Sequence, residues 1–172
     1  MRRKIGILVL TVILTLCGCG AKSEEVSTSL ANPWTDADEE GVLAATGFDL
    51  VAPEGATDVH YSFMDEDKLA QMTYSMDNIS WVYRVKAANE LEDISGMNYE
   101  WVVTEEGTVS GREAIYMAYS DASEDTEYLD SVQYVQVVNW YDVVPGVTYS
   151  LSASGNAVNG MDIQVLAEQI FF

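Results

Sequence analysis

The 172 residues carry 28 acidic side chains against eight basic ones, a formal charge of −20 with a pI near 4.1. A chain this anionic repels phosphate, which argues against nucleic acid as a partner and against lying flat on anionic lipid. Two cysteines and one histidine leave little material for thiol triads or a zinc cage.

In chain order, Met1 is followed by Arg2-Arg3-Lys4, an apolar stretch from Ile5 to Leu16, and then Cys17-Gly18-Cys19. Ile5 to Gly18 is 14 residues, short of the roughly 20 that span a hydrocarbon core as a helix, so a removable targeting segment is expected. With Gly18 directly before Cys19 and Leu16 three positions before it, residues 1–18 resemble the signal peptide and lipobox of bacterial lipoprotein precursors. The resemblance implies cleavage before Cys19 and a diacylglyceryl thioether there. Its two palmitate-like chains, at roughly 0.8 kcal/mol per buried CH₂, suffice for stable anchoring to the cell membrane on its extracytoplasmic side. Cys17 would leave with the signal, because cutting before it would place bulky Leu16 at the scissile position.

Processing removes three basic residues and no acids. Lys22, Lys68, Arg84, Lys86 and Arg112 then face 28 acids, a charge of −23. No thiol remains for a disulfide, so the fold must stand on its core alone. Residues 19–33, the lipidated cysteine and a polar run without period, are expected to be a flexible tether reaching roughly 20 Å by the random-coil rule. Residues 34–172, with 48% apolar content overall, are expected to be a single domain.

Thr35 and Asp38 match a capping box, with Gly47 placed to end a helix over about 36–46 and Gly41 its weak point. The period then becomes two. Val59, Tyr61 and Phe63 share one face of a strand; Ala70, Met72, Tyr74 and Met76 share one face of the next; Ile79, Trp81, Tyr83 and Val85 share one of a third. Asp77-Asn78 is a two-residue hairpin turn, so these strands form an antiparallel meander. The alternation lapses over 89–97, returns at Tyr99, Trp101 and Val103, turns at Glu105-Glu106-Gly107 and resumes over 109–119. After an acidic stretch, strands at 132–141 and 147–153 flank Pro145-Gly146. A last helix, capped by Asn159 with Asp162 three residues on, carries Ile163, Leu166, Ala167 and Ile170 at i, i+3, i+4 and i+7. The fold class expected is α+β: an antiparallel, curved sheet of about seven strands with an N-terminal and a C-terminal helix packed on one face.

Val109-Ser110-Gly111 with Ala114, then Val138-Asn139-Trp140, Gly146-Val147-Thr148-Tyr149-Ser150-Leu151 and the closing Leu166-Ala167-Glu168-Gln169-Ile170 resemble a C-terminal pattern of uncharacterised Gram-positive envelope domains. Such domains occur in lipoproteins and in anti-sigma-factor-like membrane sensors. The insertion Asp142-Val143-Val144-Pro145 departs from the pattern, where a shorter turn is usual. The resemblance implies a small extracytoplasmic domain and carries over no catalytic residue.

The residues name no chemistry. His60, the only imidazole, alternates with Ser62 and Met64 opposite the apolar positions of its strand, and no nucleophile elbow or phosphate loop accompanies it. Asp121, Ser123, Asp125 and Glu127 hold positions 1, 3, 5 and 7 of a calcium-loop count. Thr126 stands where that loop needs Gly, however, and Val132 where it needs a bidentate Glu. Asp121, Asp125, Glu127 and Asp130 are therefore weak metal candidates, and no metal, cofactor or catalytic residue is assigned. Trp81, Tyr83, Tyr99, Trp101, Tyr134 and Trp140 could form a binding face, although aromatic residues at period two mostly build core.

The leading expectation is a non-enzymatic binding or sensing lipoprotein of the envelope. Its partners would be the membrane through Cys19 and an envelope protein, peptide or glycan met on an apolar patch that the helices leave open. The alternatives are a cell-wall or glycan hydrolase using paired carboxylates, and a cation-binding module using the acidic loop 121–130.

Overall fold

Strict alternation over most of the chain demands a sheet with one apolar face, and eight strands supply it. The computed structural model describes residues 32–122 and 132–171. In order these form β1 (Thr35–Ala37), α1 (Glu39–Thr46), β2 (Thr57–Met64), β3 (Leu69–Met76), β4 (Ile79–Ala87), β5 (Val103–Val109), β6 (Arg112–Ser120), β7 (Tyr134–Asp142), β8 (Val147–Ser154), a short 3-10 turn at Asn156–Val158, and α2 (Ile163–Phe171). All pairings are antiparallel, and the sheet order is β1-β2-β3-β4-β8-β7-β6-β5. Two four-stranded meanders thus meet edge to edge along β4 and β8. Residues 32–171, as described, belong to one compact unit.

The count is eight rather than seven, and the first helix does not open the domain. Thr35 is not a cap: Thr35–Ala37 pairs with Tyr61–Phe63 as β1. Asp38 caps instead, its carboxylate accepting from the Gly41 amide at 2.8 Å, and α1 begins at Glu39. Gly41 therefore lies in the first turn, where a Cβ would stand 3.0 Å from the Asp38 carboxylate and 3.1 Å from the Ala37 Cβ. An Asp38→Ala variant should lose about 1 kcal/mol of stability, read as a lower urea midpoint at unchanged m.

The β2–β4 meander follows the alternation, with Asp77 and Asn78 both at positive φ, 55° and 60°, as a tight hairpin requires. In the second half the turn expected at 105–107 is absent. β5 runs through it and pairs without interruption from Val103↔Ala118 to Val109↔Arg112, turning at Ser110-Gly111. Gly107 serves packing instead: a Cβ there would lie 3.2–3.3 Å from the side-chain amide of Gln164 on α2. The longer β7–β8 turn leaves the ladder intact from Val135↔Ser154 to Asp142↔Val147. At the C-terminal helix, Asp162 and not Asn159 is the cap, accepting from the amides of Gln164 and Val165. Ile163 and Ala167 of the expected stripe are fully buried.

One sheet face carries the main core. Met72, Tyr74, Trp81, Tyr83, Trp140 and Leu151 pack there with Val42 of α1 and with Ile163 and Ala167 of α2. Trp140 stacks on Tyr149 at 5.2 Å and on Tyr83 at 6.3 Å, and Tyr74 stacks on Trp81 at 6.0 Å. Because that face is filled, the chain has one free route from the sheet centre at β4 to the far edge at β5. It is the opposite face, across β8, β7 and β6, roughly 19 Å at the usual strand spacing. Residues 88–102 make this crossing as an irregular strap. Tyr99 and Trp101, expected in a strand, belong to it and pack with Met97 on Met117, Val135 and Val137. Among the described residues no helix is long and apolar enough to cross a membrane.

Candidate functional site: a polar row under a strap

On the face away from the helices, the register places Ser62, Gln71, Arg84, Ser150 and Asn139 side by side on β2, β3, β4, β8 and β7. Each lies between apolar neighbours in its own strand, such as Tyr83-Arg84-Val85 and Val138-Asn139-Trp140, so alternation alone turns it from the core. The row is bonded along part of its length. Arg84 donates from Nε to Gln71 Oε1 at 2.8 Å, and Gln71 donates from Nε2 to Ser62 Oγ at 3.1 Å.

The strap closes over the row. Arg84 Nη1 donates to the Ile94 carbonyl at 3.1 Å, Asn139 Nδ2 donates to Asp93 Oδ1 at 3.2 Å, and Asp93 also accepts from the Ser95 amide at 2.9 Å. Gly96, at φ +64°, sits against the guanidinium, and a Cβ there would come within 2.1 Å of Nη1. Trp34 adds its ring at 4.9 Å from the Arg84 Cζ. Asn139, Ser150 and the neighbouring Ser152 are each 1% exposed, and Asn139 Oδ1, Ser150 Oγ and Ser152 Oγ have no hydrogen-bond partner. Buried polar atoms without partners are few in folded proteins, and each leaves hydrogen-bonding capacity that a water or a ligand can take up.

Arg84 is also electrostatically unusual. Among the described residues, Lys68 pairs with Asp65, Lys86 with Glu92 and Arg112 with Asp142, whereas Arg84 makes no ion pair. Burial pulls its pKa down and the field of Asp93 partly restores it. A guanidinium stays protonated in any such setting. The row therefore holds a fixed cation in a chain that is otherwise overwhelmingly anionic. At Asp142, by contrast, the hydrogen bond from Arg112 holds the carboxyl below its ordinary value.

The residues singled out from the sequence fall elsewhere. His60 is exposed at the β1–β2 edge, lining an open depression of about 410 Å³ with Asp36, Asp38 and Tyr61. Asp121 is exposed and accepts from the Gln133 amide at 2.7 Å. Asp125, Glu127, Asp130 and Cys19 lie outside the described residues, among which no three acidic, histidine or cysteine side chains stand close enough to hold a metal ion. Of the aromatic candidates, Trp81, Tyr83 and Trp140 are core, Tyr134 is half-buried against it, and Tyr99 and Trp101 are half-buried within the strap. Beside the polar row, Met97, Tyr99 and Trp101 of the strap pack on the apolar side chains of the same sheet face.

No protein-family model, curated protein or solved structure matches the chain.

Proposed function

We propose that the chain is a non-enzymatic binding or sensing module of the cell envelope. Residues 1–18 export it, lipid on Cys19 anchors it, and the tether to residue 33 holds it off the bilayer. The observation that carries the binding reading is Arg84. A guanidinium oriented by Gln71, Ile94 and Trp34, with no carboxylate paired to it, has the form of a receptor for a negatively charged group. Such a group binds but does not shuttle protons, and the other members of the row are neutral amides and hydroxyls. His60 stands apart at the sheet edge. The anchoring part of the reading is supported by the basic, apolar and Gly18-Cys19 succession at the start of the chain.

Expression of the full chain in bacteria with radiolabelled palmitate tests the anchor. Label should enter the intact protein and be lost in Cys19→Ala, which should also leave the detergent phase on phase partitioning. Failure of the intact chain to take up label would overturn the anchor.

A further inference from the structure

The strap brings its own carboxylate to the row. Asp93 accepts from Asn139 at one end of the strap contact, while Ile94, the next residue, offers Arg84 only a neutral carbonyl. The row thus has a cation satisfied by neutral acceptors, and the nearest anion is held one strand too far along, on Asn139 rather than on Ser150 beside Arg84. The Ser150 hydroxyl, between them in register and 1% exposed, has no partner.

We propose that the strap around Asp93–Gly96 is a displaceable roof, and that Arg84, Ser150 and Asn139 beneath it receive the carboxylate of a ligand, which Asp93 and the Ile94 carbonyl exclude until it arrives. The exchange is favourable bond for bond. A carboxylate on a guanidinium makes shorter bonds, roughly twice as strong as those of a neutral acceptor. Ser150 gains an acceptor, and the Asn139 amide, released by Asp93, supplies a further donor. Removing Asp93 with the strap also removes the nearest negative charge. One cation and a strongly negative chain favour a singly charged ligand over phosphate, since repulsion grows with ligand charge. The closeness of Gly96 to Arg84 is the steric half of the device: that backbone approach is possible only without a side chain. The inference rests on reading the row as a binding site and is independent of the lipid anchor, so a negative result here and an absence of palmitate label are separate outcomes.

The full-length chain in detergent is titrated with trialanine, trialanine amide, propionate and inorganic phosphate. Affinity is read by calorimetry, and the strap is followed by hydrogen exchange at the Ser95 and Met97 amides, both of which bond within it. Trialanine or propionate, the former marking a peptide end and the latter a small acid, should bind. Binding should speed exchange at both amides by roughly ten-fold or more, the size of an ordinary two-state coupling. Asp93→Asn, which keeps the side-chain shape and removes the charge, should bind roughly ten-fold more tightly, and Gly96→Ala should exchange fast without ligand. Arg84→Lys, which keeps the charge but not the fork, should lose most of the affinity. Equal binding of the amide, or phosphate binding at least as tight as the carboxylates, would overturn the carboxylate assignment. Binding without faster exchange would overturn the roof, and no binding by any probe, in the intact chain or in Asp93→Asn, would overturn the inference as a whole.

Discussion

Replacing Trp140 by alanine is expected to lower the free energy of unfolding by about 3–5 kcal/mol. Trp140 is completely buried near the C-terminal end of β7 and stacks on two tyrosines from the two strands at the sheet centre, Tyr149 of β8 and Tyr83 of β4. The loss combines the transfer term of a large ring with the cavity left between rings fixed by their own strands. It also falls on the seam between the two meanders, so both halves of the sheet should feel it. Against the roughly 5–15 kcal/mol that holds an ordinary domain folded, this removes a large fraction. Val144→Ala, at a hairpin tip where the side chain is 95% exposed, should stay within about 0.5 kcal/mol. Urea unfolding of the two variants checks the contrast. A Trp140→Ala midpoint close to that of the intact chain would mean that the seam is not where stability resides.

Stability should also fall steeply at alkaline pH. Burial pushes the phenols of Tyr74 and Tyr83 far above their ordinary value of 10.0, and both are nearly inaccessible, at 2% and 6% exposure. Above pH 10 the unfolded chain releases these protons while the native one keeps them. The native state then binds more protons, and the free energy of unfolding declines as pH rises. Below pH 10 both states hold the protons and the effect vanishes. Each phenol contributes a slope of about 1.4 kcal/mol per pH unit, so the pair gives roughly 2.7, enough to remove the lower end of an ordinary domain's stability within about two units above pH 10. Tyr74→Phe separates the causes. Its hydroxyl has no hydrogen-bond partner, so its removal should be neutral or stabilising at pH 7 and should roughly halve the alkaline slope. Thermal melts at pH 7, 10 and 11.5 would show it, and an unchanged slope in the variant would exclude Tyr74 as a contributor.

How much could be read before folding depends on the range of the signal. The β2–β3–β4 meander was legible because its apolar positions repeat every second residue and Asp77-Asn78 favours the positive φ values of a tight turn. The C-terminal helix was legible from its stripe, although its cap lies three residues later than expected. β1 leaves no signal because three residues carry no period, and the Thr–Asp spacing there has the form of a cap. Gly107 carries the signal of a turn because sequence alone does not distinguish a glycine that bends the chain from one that admits the Gln164 side chain of a helix 57 positions further on. Tyr99 and Trp101 alternate like strand residues, yet they lie across a sheet face.

The amino-acid sequence by itself determined the period of each strand, hence which side chains leave the core, and the acidic balance that makes any isolated cation conspicuous. It could show that Arg84, Ser150 and Asn139 each point away from apolar neighbours. Only the tertiary structure decided that they stand in one row, because the pairing of β4 with β8 joins residues 66 positions apart and alternation is indifferent to partner. It decided too that the row is roofed: with the helices filling one face, the connection from the sheet centre to its edge had to cross the other.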